Sequence, residues 1–375
     1  MNILYIANKG YFKGGGQVSL WNLVRRINPD KFIPHFICPS QGAFFDTLTR
    51  DQISVDIISY PHFKTLNMFA VLKAISLIKQ IAIEKKIDLI HANGPRMNLL
   101  SGLVAKICKM PVVWHERTLV EKGMWDSDRF FSFLADKIIC NSDAIRERFL
   151  KNGKIHKKVI TIINGVDTTL FNPHVDGSSV RREFNIRDNE IVIGMAGRIE
   201  PSKGQLCFLK AARDLASKYN NLKFLIAGGI FSECPINYKR ELEEFITKHN
   251  LEKKVIFAGV RNDMPQILAA MNIMVLAADA EACGRVLFEA MACAKPIVAT
   301  NTGGTPEIVI DKETGLLVPP KNSKALVKAI IALLDDKDLA KQMGVKGRER
   351  VEKYFTIQEH VRKTEAVYEE ILNGC

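Results

Sequence analysis

Short runs of β-branched and other apolar residues recur along the chain, at Asn2–Ala7, Phe32–Cys38, Val55–Ser59, Leu89–Ala92, Pro111–Trp114, Lys137–Cys140 and Val159–Ile163. Helical patterns or loops separate most of them. A strand that is apolar at nearly every position, rather than at alternate ones, needs cover on both faces, so the pattern predicts parallel sheets flanked by helices. The rhythm stops at a polar stretch, Asn172–Glu190, whose Pro173, Gly177, Ser178 and Ser179 read as a linker. It restarts with Ile191–Ala196, Lys223–Ala227, Val255–Ala258, Ile273–Ala277, Pro296–Ala299 and Leu316–Val318, separated by helix-length segments such as Leu206–Tyr219 and Tyr238–His249. The expected class is α/β, two Rossmann-like doubly wound domains in tandem. Their expected bounds are 1–172 and 191–355, joined by 173–190, with 356–375 a closing helix placed to return to the first domain. Ligands bind outside the carboxyl ends of the strands in such sheets, so two facing sheets would leave a cleft for the reaction.

Length agrees with two cores, since 375 residues exceed the roughly 250–300 at which a single core stops growing. A hydrophobic fraction of 47% against 25% charged excludes a disordered chain. No stretch approaches the roughly 18 apolar residues of a spanning helix, and Met1–Ala7 enters a strand-like run without the basic leader of a secretory signal. The eight cysteines are scattered, with no C-x-x-C pair, which argues for reduced thiols in a cytosolic protein and against a disulfide framework or zinc site. The net charge of +12 favours an anionic partner: a nucleotide, a phosphorylated lipid or an acidic membrane surface. Nucleic acid fits poorly, because the basic residues are spread over many segments and no RNA-binding or zinc-finger signature is present.

Three segments carry candidate chemistry. Gly14-Gly15-Gly16 follows the first strand and precedes a helical pattern, so it is either a close approach of backbone to an anion or a flexible turn. Arg198 and Lys203 stand five residues apart after the first strand of the second series, where a diphosphate would sit. Arg198 offers a forked contact and Lys203 a point charge. Glu281 and Glu289 are eight residues apart. On one helix that is about 12 Å of rise, beyond the roughly 5–9.5 Å of paired glycosidase carboxyls. An acid/base pair is therefore disfavoured. Glu281 is expected on the loop and Glu289 inside the helix, with the Arg285 and Val286 amides near a diphosphate and each carboxylate at one end of a long ligand.

In order, Gly14–Gly16, Asn164-Gly165-Val166-Asp167, the Gly197-Arg198 to Lys203-Gly204 loop, Glu281-x7-Glu289 running into Ala299-Thr300, Gly303-Gly304-Thr305-Pro306-Glu307 and Gly315–Pro319 cover nearly the whole chain. The set resembles the retaining glycosyltransferases of family 4, which have the two-domain GT-B architecture. The resemblance implies transfer from a nucleoside diphosphate sugar, UDP- or GDP-linked, to a glycan or lipid-linked acceptor. It implies no metal and no cofactor beyond the donor, and action in the cytoplasm with peripheral contact to an anionic membrane. By the same resemblance Arg198 and Lys203 hold the diphosphate and Glu289 the ribose. Glu281 holds the donor sugar, with the amides around Gly284, Arg285 and Val286. The loop at Val260 faces the base, Gly15 and Gly16 border the donor, and His115 contacts the sugar at the reacting centre. Cys283 departs from the family, where an aromatic residue is common, and it is followed by Arg285, which suits a charged sugar, a phosphate or solvent.

Two other features point elsewhere. Asp126-Ser127-Asp128 spells the D-x-D of metal-dependent transferases but lies in a loop-like region, which argues against metal binding. The stripe Leu66, Phe69, Leu72, Ile75, Ile78 and Ile81 suits a crossover helix better than a membrane-surface helix. Met124, Trp125, Phe130, Phe131 and Phe133 form either an apolar acceptor surface or a core. Rival readings are a nucleotide-sugar 2-epimerase of the same architecture and a catalytically silent nucleotide- or surface-binding protein.

Overall fold

In the first structural unit, Met1–Asn164 joined by the chain from Ile357 onward, seven strands lie parallel in one sheet. The computed structural model describes residues 1–12, 14–60, 68–120, 123–151, 153–230 and 235–374. The strands are β1 (Asn2–Ile6), β2 (Ile33–Cys38), β3 (Ser54–Ile57), β4 (Leu89–Asn93), β5 (Val112–Glu116), β6 (Lys137–Cys140) and, after a short antiparallel pair of β7 (Leu150–Lys151) and β8 (Lys154–Ile155), β9 (Val159–Thr161). Their order is β3-β2-β1-β4-β5-β6-β9. Every residue of β4 and β5 is buried, as a strand covered on both faces requires. Helix Gly15–Val24 covers one face with Leu20, Leu23 and Val24. The closing helix Ile357–Leu372 adds Val361, Val367 and Tyr368 to the same core, and Lys31 and Lys137 bind Glu369 and Glu370 at 2.7 and 2.6 Å.

The second unit, Gly165–Thr356, repeats the plan with β10 (Ile191–Ala196), β11 (Leu222–Ala227), β12 (Val255–Gly259), β13 (Ile273–Leu276), β14 (Ile297–Thr300) and β15 (Leu316–Val318), in the order β12-β11-β10-β13-β14-β15. Helix Gln205–Ala216 between β10 and β11 buries Phe208, Leu209, Ala212 and Leu215, one face at helical spacing. In each unit the strand order reverses once, between β1 and β4 and between β10 and β13. The carboxyl ends at those two places are where ligands bind in such sheets.

The 173–190 segment is not a linker. Helix Ser178–Glu183 packs into the second unit, with Val180 and Ile186 buried and the Arg181 guanidinium donating to the carbonyls of Ala270, Arg187 and Glu190 at 3.3, 2.7 and 2.8 Å. A Cβ on Gly177 would stand 2.4 Å from the Ala270 amide, so the turn sits tight on its neighbour. The chain leaves the first unit at Asn164 rather than at 172. The crossover helix Met68–Glu84 between β3 and β4 buries Ala74, Ile78 and Ala82, whereas Phe69 and Leu72 of the predicted stripe are 86% and 56% exposed. Leu66 lies outside the described residues. Among the described residues no helix is long and apolar enough to cross a membrane. Cys38, Cys108, Cys140, Cys207, Cys283 and Cys293 are free thiols, while Cys234 and Cys375 lie outside the described residues.

Candidate active-site residues

In the second unit β10 runs straight into the Arg198 loop, a 3-10 turn at Pro201–Lys203, and the helix from Gln205. Gly204 closes the turn at φ 73°, and a Cβ there would lie 1.9 Å from the Ala277 carbonyl at the end of β13. That contact holds the cationic loop against the neighbouring strand across the reversal. Asp279 also donates its amide to the Ser202 carbonyl at 2.9 Å. Gly204→Ala should cost about 1–3 kcal/mol through the left-handed backbone and the clash, read as a lowered thermal midpoint. An unchanged midpoint would show that the loop can move aside.

The geometry brings Lys203 and Glu281 together, Nζ to Oε2 at 2.7 Å, both largely shielded from solvent. Arg198 reaches Glu200 at 3.0 Å, and the buried Gln205 donates its amide to the Arg198 carbonyl at 2.7 Å. Glu200 and Gln205 were not singled out by sequence, although Glu200 lies within the motif's own loop and Gln205 opens the helix that follows it. Glu281 precedes helix Arg285–Ala292, whose N-cap Gly284 makes no side-chain cap, and Glu289 lies one turn inside. Arg285 turns along that helix onto Glu289 at 3.1 Å. Glu289 is 3% exposed, and burial raises its carboxyl above the usual range against the pull of Arg285. Val260 is 64% exposed, and Arg261 beside it is held by Glu183 at 2.6 Å and by Asp263 at 2.7 Å.

In the first unit the carboxyl ends of β4 and β5 meet the helix that Gly15 and Gly16 begin. Arg117 is the first residue past β5 and its guanidinium turns back onto His115. Its Nη2 donates to His115 Nδ1 at 3.2 Å, its Nε to Asn93 at 2.8 Å, and its Nη1 to Asn164 and Ser19 at 2.7 and 3.0 Å. A Cβ on Gly16 would meet Arg117 Cδ at 3.6 Å, an ordinary contact. His115 is fully buried, and its Nδ1 also lies 3.2 Å from His91 Nε2. Burial first, then the charge of Arg117, drives His91 down to about 3 and His360 to about 4, and lowers His115 in the same way. All three rings are neutral at pH 7. Asn164 belongs to a motif visible in the sequence and Arg117 stands next to a candidate, but nothing local marks His91.

The D-x-D carboxylates face an arginine. Arg148 binds Asp126 at 2.8 Å, Glu116 at 3.0 Å and Asp128 at 3.7 Å, and donates to the Thr118 carbonyl at 2.7 Å. Asn98 donates to Glu116 and, at 3.5 Å, to Asp128. A guanidinium therefore stands where a cation would be held. Met124, Trp125, Phe130 and Phe133 are exposed, so these four do not form a core.

Two parallel-sheet units in tandem, with cationic and amide groups gathered where the strand order reverses, define an α/β protein of GT-B fold. Known proteins agree. The model for Glycosyltransferase Family 4 matches residues 13–170 and that for Glycosyl transferases group 1 matches 178–350. The chain belongs to the family 4 glycosyltransferases. It is 24% identical, over 90% of its length and 89% of the relative's, to UDP-Gal:alpha-D-GlcNAc-diphosphoundecaprenol alpha-1,3-galactosyltransferase of Escherichia coli. It is 26% identical to the capsular polysaccharide biosynthesis glycosyltransferase CapM of Staphylococcus aureus, over 83% of this chain and 84% of that one. The crystal structure of Anabaena Alr3699/HepE with UDP-glucose superposes with a TM-score of 0.86 at 26% identity, covering 99% of this chain and 100% of that one.

Proposed function

We propose that this glycosyltransferase moves a sugar, with retention and without a metal, from a UDP-linked donor to a lipid-linked or glycan acceptor at the cytoplasmic membrane face. The observation that carries this reading is the Arg198–Lys203 turn, seated by Gly204 on β13 and paired with Glu281. Two cations at a strand reversal offset charge growing on a departing diphosphate, the task a metal performs in other transferases. The diphosphate in turn accepts the proton of the attacking hydroxyl, so the protein chiefly holds both partners in place. Glu281 and the Gly284, Arg285 and Val286 amides take the sugar and phosphate, and Glu289 takes the ribose once Arg285 swings off it. In the same reading Val260 serves the base, and His115, Gly15 and Gly16 of the first unit serve the donor sugar. UDP rather than GDP is favoured by the likeness to Alr3699/HepE, solved with UDP-glucose, and a lipid-linked acceptor by the E. coli relative's diphosphoundecaprenol substrate.

For membrane contact, Met68, Phe69 and Leu72 of helix Met68–Glu84 and Phe130 and Phe133 of the short helices Ser127–Phe130 and Ser132–Leu134 are exposed on elements packed on helix Pro95–Cys108, and Met124 and Trp125 in the loop before Ser127 are exposed as well. Thermal shift across UDP-, GDP- and ADP-sugars tests the donor, with stabilisation expected for a UDP-sugar. Product analysis with a lipid-diphosphate acceptor tests retention, and chelation should leave turnover unchanged. Epimerised donor in the absence of acceptor, or inverted product, would overturn the reading. Trp125→Ser should weaken sedimentation with vesicles containing phosphatidylglycerol, and equal binding would remove the membrane contact.

A further inference from the structure

The His115 ring sits at the end of a buried chain of hydrogen-bonding groups that starts on the closing helix. The Tyr368 hydroxyl lies 2.5 Å from His91 Nδ1 and 3.3 Å from the Tyr5 hydroxyl. His91 Nε2 lies 3.2 Å from His115 Nδ1, which Arg117 Nη2 also approaches at 3.2 Å. His115 Nε2 is buried and has no hydrogen-bond partner among the described residues.

These contacts have one consistent set of protons. An arginine guanidinium is always protonated and only donates, so His115 Nδ1 must accept. His91 Nε2 faces the same lone pair, and a second lone pair at that distance would repel it, so His91 Nε2 carries a proton. A neutral His91 then has a bare Nδ1, and the Tyr368 hydroxyl donates to it. The neutral His115 is left with its own proton on Nε2, a position that no group among the described residues satisfies.

We propose that Tyr368 and His91, together with Arg117, act as positioning residues that lock His115 in the Nε2–H tautomer, so that this ring serves the bound donor as a hydrogen-bond donor and not as a base. The inference rests on the reading of His115 as a sugar-side residue. It goes further by giving the ring a fixed sense: Nε2–H binds an oxygen that accepts, such as a sugar hydroxyl or ring oxygen, and takes no proton from the acceptor. The neutrality this requires is supplied by burial and by the Arg117 charge alongside. It also gives the closing helix a task in the first unit beyond packing, because its Tyr368 orients the far end of the chain.

Nitrogen-15 NMR of the histidine rings in the full-length protein, assigned with His115→Gln, reads the tautomer without any need for turnover. The wild type is expected to show His115 protonated on Nε2 alone at pH 7. With the Arg117 contact as the remaining one of the two on His115 Nδ1, His91→Leu should introduce a measurable Nδ1–H fraction, and Tyr368→Phe, which keeps the ring packing but frees the His91 tautomer, should do the same. Each should lower kcat for transfer about tenfold, the low end of the range for removing the outer hydrogen-bond partner of a metal-ligating histidine, with the donor KM within about twofold. His91→Gln, whose amide can still donate to His115 Nδ1, should restore both the tautomer and most of kcat. An Nδ1–H or doubly protonated His115 in the wild type overturns the proposal, as does an unchanged tautomer in both Tyr368→Phe and His91→Leu. Should His91→Leu not fold, Tyr368→Phe decides. A correct tautomer in a protein with no transfer activity would instead count against the functional reading, so the two failures are distinct.

Discussion

Arg148→Met is expected to destabilise the first unit by about 3–5 kcal/mol, the usual cost of removing one partner from a buried ionic cluster. Among the described residues Arg148 is the cation that pairs with Glu116, Asp126 and Asp128, and its side chain is 8% exposed against 0%, 14% and 4% for theirs. Burial raises the Glu116 carboxyl, and Asp128 raises it further, while Arg148 opposes both. Burial likewise raises Asp128 to about 6 against the pull of Arg148 and Asn98. Removing the guanidinium lets both rise further. A carboxyl whose folded pKa lies above its unfolded value of roughly 4 keeps its full contribution below that pH and loses it as pH climbs toward the folded value. The deficit of Arg148→Met should therefore be small near pH 4 and grow steadily to pH 8. Urea unfolding of the first unit's transition at several pH values measures this. A deficit that shrinks as pH rises, or a loss under about 1 kcal/mol, would mean that Arg148 is a surface cation and the cluster is wet.

The sequence carried the strands because each is apolar at consecutive positions, and a run such as Leu89–Ala92 has no amphipathic alternative. Arg198, Lys203 and Glu281 stand out as candidates for a related reason: chemistry placed just after a strand keeps its address through the fold, and the structure joins Lys203 to Glu281 across the β10–β13 reversal. The 173–190 segment misled because Pro, Gly and Ser mark turns without saying whether the turn is solvated. What builds it into the second unit is Val180 and Ile186 in the core and the triple carbonyl contact of Arg181, all tertiary. Asp126 and Asp128 were visible as a motif, but their partner Arg148 reaches them only because the turn after β6 brings it back to the segment that follows β5. His91 and Tyr368 stand 277 residues apart, so no local pattern could announce their contact. Histidine in a buried strand reads as packing until its ring partners are known.

Lys203→Ala and Arg198→Ala should each lower kcat/KM for the donor by roughly 100- to 1,000-fold, the range for removing one preorganised group that meets developing charge. The two are not equivalent, because Lys203 also neutralises Glu281 at 2.7 Å whereas Arg198 is tied to Glu200 and to the loop. Deleting Lys203 leaves the Glu281 carboxylate uncompensated beside the site proposed for a diphosphate, and like charges there repel. Free UDP should thus bind Lys203→Ala more weakly than it binds the Lys203→Ala/Glu281→Ala double variant, since the second change removes the repulsion. Turnover should behave in the opposite way. If Glu281 holds the donor sugar, the double variant stays at or below the Lys203→Ala rate although its UDP affinity has recovered. Calorimetry with UDP and initial rates with UDP-glucose separate the two effects, and a double-mutant cycle exposes the coupling directly. Folded single variants with wild-type rates would move the diphosphate away from this turn. Recovery of rate together with affinity would leave Lys203 its role and take the sugar away from Glu281.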